Sequence, residues 1–425
     1  MSSNLSQSNA LDAFLIEVTK RNVTGGIAFL LPTNHHPQVN CRALDNNFDV
    51  IVIGAGFCGS IIALKAAELG LSVRILDGQE DYPDEFRAEK LEPDQFEALE
   101  DLGLIDLVRP RAENFIAEVH ALKGKREKII PCHKHRGMDY SATVNSFRKE
   151  LREQELLVIE KIEQVHDTPA GCEVVLPDGS SFRGKLCVVA TGVSKGLRKS
   201  LGLQMHARNA LISTTFGFDI EPASDEHFPF QAFNVYPERF TSGLQYLTFF
   251  PIGDRMRCNL FTCWKPGGIK AKRLRTETLA ELRARFPGLV ERIGPFRISS
   301  KVQVFTTHYY RQSVSHLNSV VLVGDAYQSV SPATGVGLSK CLSDVQSLLG
   351  LLQDKSASSL AGMDNDAFYL KTTKRRVDDN ALQRWRWANE SSTSRSFMTV
   401  LKSVKRTPAA LWVRQLITYP QSVDN

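Results

Sequence analysis

The chain has 425 residues, 42% of them hydrophobic and 23% charged, with a formal net charge of +5. That is the composition of an ordinary globular protein, long enough for two or three domains with a sizeable core. So mild a basic excess leaves no footprint for nucleic acid, and no stretch reaches the roughly 18 apolar residues of a membrane span. The eight cysteines, at 41, 58, 132, 172, 187, 258, 263 and 341, form no Cys-x-x-Cys pair and complete no zinc set with histidine. Scattered single cysteines read as reduced thiols, which points to a cytoplasmic protein and no bound metal.

Residues 1–47 read as an N-terminal extension. Its apolar run from Gly25 to Pro32 is short and lies too far in for a signal peptide. Residues 48–53 then form an apolar run that reads as a buried strand ending at a glycine cluster. Ile61, Leu64, Ala67 and Leu69 recur at helical spacing, with Gly70 as the closing glycine, and Ser72 to Leu76 is the next strand, with Asp77 at its end. Together these make a βαβ unit. Glu92–Leu102 and Val144–Gln154 read as helices. Phe115–Ile130 reads as a hairpin turning near Lys123-Gly124-Lys125, and Leu157–Val165, Cys172–Leu176 and Leu186–Ala190 read as strands.

From about 199 to 310 short aromatic and β-branched runs dominate, such as Ile212–Phe218, Tyr246–Phe250 and Met256–Cys263. They predict an antiparallel sheet, interrupted by one helix near Thr276–Phe286. Val320–Val323 is again a buried strand, leading through Gly324-Asp325 to a helix over Gly337–Leu352. A Ser/Asp/Gly-rich linker follows over 354–364, then a helical tail whose residues Lys371, Lys374, Arg375 and Arg376 suggest a solvated basic face, with a membrane surface as the alternative partner for it.

Two segments carry chemistry. Gly54-Ala55-Gly56-Phe57-Cys58-Gly59 is a Gly-x-Gly-x-x-Gly that follows a strand, opens a helix, and has the acidic Asp77 eighteen positions after its last glycine. The first glycine permits a tight turn, the second lets a pyrophosphate approach, and the third lets helix and strand pack closely. The helix start offers N–H groups and partial positive charge, and Asp77 can accept from ribose hydroxyls. This motif does not choose between NAD and FAD. The second segment does: an apolar strand delivers Asp325, followed by Pro332, Gly335, Val336 and Gly337 in a loop that opens a helix. Such an Asp can hold ribityl hydroxyls, and such a helix start can face the flavin pyrimidine edge, where negative charge grows on reduction.

With these residues in place, the chain resembles the FAD-dependent aromatic hydroxylases of the para-hydroxybenzoate hydroxylase type, the single-component flavoprotein monooxygenases, over roughly residues 48–350. The carriers are Gly54, Gly56, Gly59 and Asp77, then Phe86-Arg87-Ala88-Glu89-Lys90-Leu91, then Gly324-Asp325, Ser331-Pro332, Gly335 and Gly337. The resemblance implies that Arg87 lies along the cofactor, Asp325 holds the ribityl chain and Pro332 sits near the flavin ring. Asn145-Ser146-Phe147-Arg148 resembles a family helix whose Arg or Gln touches FAD, which makes Arg148 a candidate beside the reading of a plain surface arginine. Phe249-Phe250-Pro251-Ile252-Gly253-Asp254 is similar to a segment of the family's substrate sheet. The family's Asp-Gly-x-x-Ser-x-x-Arg is altered: Gly192 and Arg198 match, but Thr191 replaces the Asp and Lys195 the Ser. That leaves the route of NADPH or NADH reduction open, with a separate flavin reductase as an alternative.

The fold so implied is α/β: a Rossmann-like FAD-binding domain over 48–198 and 311–357, an inserted antiparallel β-sheet substrate domain over 199–310, and a helical C-terminal region over 358–425. The activity implied is insertion of one oxygen atom from O2 into a small aromatic or apolar substrate through a flavin C4a-hydroperoxide. His206, His227, Tyr236, Tyr246, His308 and Tyr309 are the groups available as a phenol-activating base, and none is assigned. The rival readings are a flavin-dependent halogenase, whose Trp-x-Trp-x-Ile-Pro is not matched by Trp385-Arg386-Trp387, a flavin-dependent reductase or cyclase acting on a lipid-like substrate, and a non-catalytic FAD-binding protein.

Overall fold

A computed structural model describes residues 46–393, apart from 88–89, 195, 204–211, 225–226, 239–242, 355–359 and 362–364. Residues 1–45 of the N-terminal extension, His206, Lys195, most of the linker and the tail beyond 393 thus lie outside the described residues. No helix among the described residues is long and apolar enough to cross a membrane.

The described residues begin with the expected βαβ unit: β1 (Asn47–Ile53), α1 (Phe57–Glu68) and β2 (Val73–Asp77). Val50 to Ile53 are all buried, and α1 is buried nearly all round its first two turns, which is the pattern of a parallel strand and crossover helix covered on both sides. Next come β3 (Lys90–Leu91), α2 (Pro93–Asp101), α3 (Ile105–Val108), β4 (Phe115–Lys123), β5 (Arg126–Gly137) and α4 (Tyr140–Glu153). They are followed by β6 (Leu157–Ile159), β7 (Gln164–Thr168), β8 (Gly171–Val175) and β9 (Ser181–Val189).

The second half contains β10 (Ile212–Pro222), β11 (Ala232–Tyr236), β12 (Leu244–Ile252), β13 (Arg255–Thr262), α5 (Ile269–Thr276), α6 (Thr278–Arg285), α7 (Leu289–Ile293), β14 (Phe296–Ile298) and β15 (Gln303–His308). It closes with β16 (Val320–Leu322), α8 (Gly337–Gln353), α9 (Asn365–Leu370) and α10 (Thr372–Thr393).

The first sheet has the order β6-β2-β1-β9, with β16 beside β9, all parallel, and β8 and β7 as an antiparallel extension. Strand β1 lies between β2 and β9, so the chain's crossovers diverge there. The carboxyl ends of strands at such a divergence are the usual ligand position in sheets of this kind.

The second sheet runs β14-β10-β13-β12-β11-β4-β5-β3, with β15 also on β10. Three of its strands, β3 to β5, precede residue 198 in the chain. The expected hairpin is present, but its first strand pairs in parallel with β11, so the sheet is antiparallel except at that seam. Three short helices, α5 to α7, stand where the sequence suggested one, with Gly288 at φ +85° between the last two.

Register divides this sheet into two unlike faces, because residues directly opposite one another share a face. One face carries Val235, Leu247, Leu260 and Phe216 in one row and Phe233, Phe249, Cys258 and Phe218 in the next. All are buried in a core with α5 to α7. The other face carries Asn234, Thr248, Asn259 and Gly217 in one row, then Tyr246, Phe261, Thr215 and Phe305, then Phe250, Arg257 and Asp219. Most of the aromatic content of this region is therefore packed away from that second, mixed face.

The C-terminal helices are integral to the fold. Asn365 donates from Nδ2 to the carbonyls of Leu317, Asn318 and Val320, and the Tyr369 hydroxyl accepts from the N–H of Leu322. The expected basic face of the tail is only partly there. Arg375 and Arg376 are exposed, but Lys374 is 0% exposed, because it points inward to meet buried aspartates.

Candidate cofactor site

The glycine loop shows why each glycine is there. Gly54 has φ +101°, and a Cβ on it would lie 2.7 Å from the carbonyl oxygen of Ala190. A Cβ on Gly59 would lie 2.0 Å from the carbonyl oxygen of Gly54. The protein's own packing therefore demands these two. Gly56 differs: its φ is −80°, and a Cβ there would meet nothing nearer than the Tyr82 ring at 3.9 Å. The space it leaves faces the start of α1, which has no side-chain cap. A bare, uncapped helix start with room beside it suits a phosphate group.

The residues between the glycines have other roles. Phe57 is 1% exposed and packs on Tyr140 and Phe147, with ring centroids 5.9 and 5.6 Å away. Cys58 turns inward onto α8, its Sγ 3.8 Å from the carbonyl oxygen of Cys341. Ala55 is fully engaged within the protein: its N–H donates to Asp77 Oδ2 at 2.7 Å, and its carbonyl accepts from Arg148 Nη1 at 3.0 Å. Asp77 also accepts from the N–H of Gln79 at 2.9 Å and is half-buried at the strand end.

Arg148 is 1% exposed, so it is no surface arginine. Its guanidinium meets the carbonyls of Ala55, Gln79 and Glu80, and lies 3.3 Å from Asp77. Four of the five N–H donors of this arginine are thus hydrogen-bonded to backbone carbonyls. Arg148 therefore pins the glycine loop to the Asp77 turn from behind.

The other half of the cleft is built around Gly324 and Asp325. Gly324, at φ +59°, donates its N–H to Asp344 at 2.7 Å, and its carbonyl accepts from Lys340 Nζ at 3.1 Å. Asp325 follows at the strand end, with Arg87 Nη1 3.7 Å from its carboxylate. Burial raises the Asp325 carboxyl above its ordinary pKa, against the opposing pull of Arg87 and Lys340. Arg87 also bonds Glu85 through Nε and lies over the Phe305 ring at 4.8 Å. Pro332, itself exposed, begins a turn that ends at Gly335, φ +67°. Val336 and Gly337 then open α8, whose start likewise has no side-chain cap.

That turn touches the mixed face of the second sheet. Ser331 Oγ lies 2.9 Å from Ser213 Oγ, and the Tyr246 hydroxyl donates to the carbonyl of Ala333 at 2.9 Å. Phe86 enters the same seam: it occupies the space over Gly217, where a Cβ would lie 2.4 Å from the ring, and Arg257 stacks on it at 3.8 Å. Arg257 in turn donates to Asp219 at 2.8 Å. Thr215 Oγ1, Asn234 Oδ1 and Arg257 Nη2 are buried on this face without a partner among the described residues. Such orphaned groups cost stability unless a ligand or water meets them.

Of the groups offered as a base, His227 and His308 are exposed, Tyr309 is packed on Trp385, and Tyr236 stacks on Tyr246. None is singled out by its surroundings. Sequence reasoning missed Tyr82 and Glu85 beside Arg87, and the buried Lys340, Asp344 and Asp378 around Lys374. For Lys340 and Asp344 a signal was present, as charges set i,i+4 within the apolar stripe of α8; the matching pair on α10, Lys374 and Asp378, stands in a polar sequence and gives no such sign.

A family model for the FAD binding domain matches residues 47–355. The chain belongs to that family. The resemblance to FAD-dependent hydroxylases thus holds, and the protein is an FAD-dependent oxidoreductase with the expected α/β fold. Among its relatives, the squalene epoxidase of Aspergillus fumigatus is 24% identical over 354 residues, 75% of this chain and 69% of that one. The crystal structure of a p-nitrophenol 4-monooxygenase from Pseudomonas putida superposes with a TM-score of 0.64 at 17% identity, covering 84% of this chain and 96% of that one. The flavin-dependent brominase Bmp2 gives 0.66 at 16% identity, covering 87% and 93%. At those identities the two structures speak for the fold.

Proposed function

We propose that this flavoprotein is a monooxygenase that inserts one oxygen atom from O2 into an electron-rich, aromatic or otherwise unsaturated substrate, with NADPH or NADH as the electron donor. The observation that carries this reading is the seam itself. The turn from Ser331 to Gly337, where the flavin edge would lie, packs directly against a sheet face that mixes rings with unpartnered polar atoms.

In this reading the Gly54–Gly59 loop and the start of α1 hold the pyrophosphate, Asp77 the ribose and Asp325 the ribityl chain. The Pro332–Gly337 turn borders the flavin ring. The flavin, once reduced, supplies the activation of O2. The protein's part is placement. Arg87 partly neutralises Asp325 and braces the seam through Phe305. Tyr246 fixes the turn by its hydrogen bond to Ala333. Tyr246 and Phe261 offer rings against which a planar substrate can stack, and Thr215 and Asn234 offer hydrogen bonds to its substituents.

The kinship to a squalene epoxidase favours a second reading, oxygen transfer to an alkene rather than a ring. Halogenation, and reduction or cyclisation of a lipid-like substrate, use the same cofactor and are the outcomes to separate from it. The test is aerobic oxidation of NADPH and NADH by the FAD-loaded protein with a panel of phenols and alkenes. Oxidation stimulated by one substrate class, with one oxygen atom in the product, is the expected result. Flavin that neither nucleotide reduces, but that an added flavin reductase does, would keep oxygen transfer and move reduction to a partner. Turnover with no oxygenated product would overturn the proposal.

A further inference from the structure

The buried charge cluster beneath the flavin-binding turn draws two of its members from beyond the matched family residues. Lys340 and Asp344 lie on α8, and Lys374 and Asp378 on α10, with side-chain exposures of 0–3%. Lys374 Nζ lies 2.8 Å from Asp344 Oδ1 and 2.8 Å from Asp378 Oδ2. Lys340 Nζ lies 3.0 Å from Asp344 Oδ2 and 3.7 Å from Asp378 Oδ1. The two cations and two anions balance. Lys374 also sits over the Tyr327 and Phe368 rings, at 4.5 and 4.9 Å, so it is enclosed by rings as well as carboxylates.

The same cluster grips both backbone polar atoms of one residue. Asp344 Oδ2 accepts the N–H of Gly324, and Lys340 Nζ donates to the carbonyl of Gly324. Gly324, in its left-handed conformation, immediately precedes Asp325. Around it α10 is laced to the same segment: Gln328 donates to the carbonyl of Asp378 at 2.9 Å, and Arg311 pairs with Asp379 at 2.9 Å.

We propose that Lys374 is a positioning residue for the cofactor turn: by neutralising Asp344 and Asp378 it keeps Lys340 on the Gly324 carbonyl and so holds Asp325 where FAD requires it. Without Lys374 the buried set carries a net negative charge. Asp378, already 3.7 Å from Lys340, then competes for that ammonium and draws it off Gly324. A buried carboxylate stripped of its partner is costly, so the turn must rearrange or take in water. The family match ends at residue 355, so this support comes from a helix outside the matched domain. The inference rests on the reading that FAD binds at Gly324–Asp325.

The test uses the full chain as apoprotein, with FAD affinity read from quenching of flavin fluorescence. Lys374→Met is expected to weaken FAD binding at least tenfold. Lys374→Met combined with Asp378→Leu, which restores neutrality with apolar groups, is expected to return affinity to within threefold of the wild type. Arg376→Met, on the exposed side of the same helix, is expected to leave it unchanged. Wild-type affinity in Lys374→Met would overturn the proposal, and so would a tenfold loss in the neutral double variant. If Lys374→Met alone fails to fold, the double variant decides by the same criterion. Wild-type protein that takes up no FAD would overturn the site reading itself, and this inference with it.

Discussion

The two sheets put their chemistry in different places. In the first, the strands are apolar and covered, so what can meet a ligand is confined to strand ends: the glycine loop after β1, Asp77 at the end of β2, Asp325 after β16. In the second, polar atoms lie along one face, with Thr215, Asn234, Arg257 and Asp219 opposite a hydrophobic reverse. A strand end is a stretch of consecutive residues, so its chemistry is written in adjacent letters. A face is assembled from every second residue of several strands, so its chemistry appears only with the register.

If that division is right, substitutions in the two sheets should fail differently. The largest effect is expected for Gly59→Ala, whose new Cβ would overlap the Gly54 carbonyl. A loss of about 3 kcal/mol in unfolding free energy, the upper end for overpacking, and no retained FAD are expected, as read by thermal unfolding and by the visible spectrum of the purified protein. Retention of both would show that the loop is slacker than its geometry. Next is Asp325→Ala, expected to lower FAD affinity by about 10- to 100-fold, the value of a hydrogen bond to a charged group, with the fold intact by circular dichroism. The smallest effect is expected for Thr215→Val. The orphaned hydroxyl costs the empty protein something, so stability should change by less than about 0.5 kcal/mol. FAD affinity should stay unchanged, while KM for the preferred substrate rises by about fivefold, or roughly 1 kcal/mol. A change in FAD affinity there, with KM untouched, would dissolve the distinction between sheet end and sheet face.

Much of the first sheet is legible in the sequence. The βαβ unit, the glycine loop, Asp77 and the Gly324–Gly337 segment are contiguous, and their physical demands are local. Arg87 is picked out by its motif, though its contacts with Asp325, Glu85 and Phe305 need the fold. Arg148 is legible as a residue on the correct helix but not in its position, because a buried arginine bonded to carbonyls and an exposed one have the same neighbours in sequence. Lys374 misleads for a similar reason: charges at i,i+4 on a helix normally mark a solvated face, and only the packing of α10 on α8 turns this pair inward. The hairpin of β4 and β5 is visible from its turn, whereas its parallel pairing with β11 is not, since nothing local distinguishes a strand's future neighbours.

That parallel seam has a consequence for how the protein can be made. Val119 pairs with Ala232 and Lys123 with Tyr236, so β4 leaves the ribosome long before its partner exists. Until then its edge is open, in a segment bearing Ile116 and Val119, and an open apolar edge is a template for other chains. Folding of the second sheet must wait for a distant contact, which slows it. The chain is therefore a poor subject for dissection: a fragment cut between the two sheets' main blocks would carry an unpaired strand on one piece and an incomplete sheet on the other.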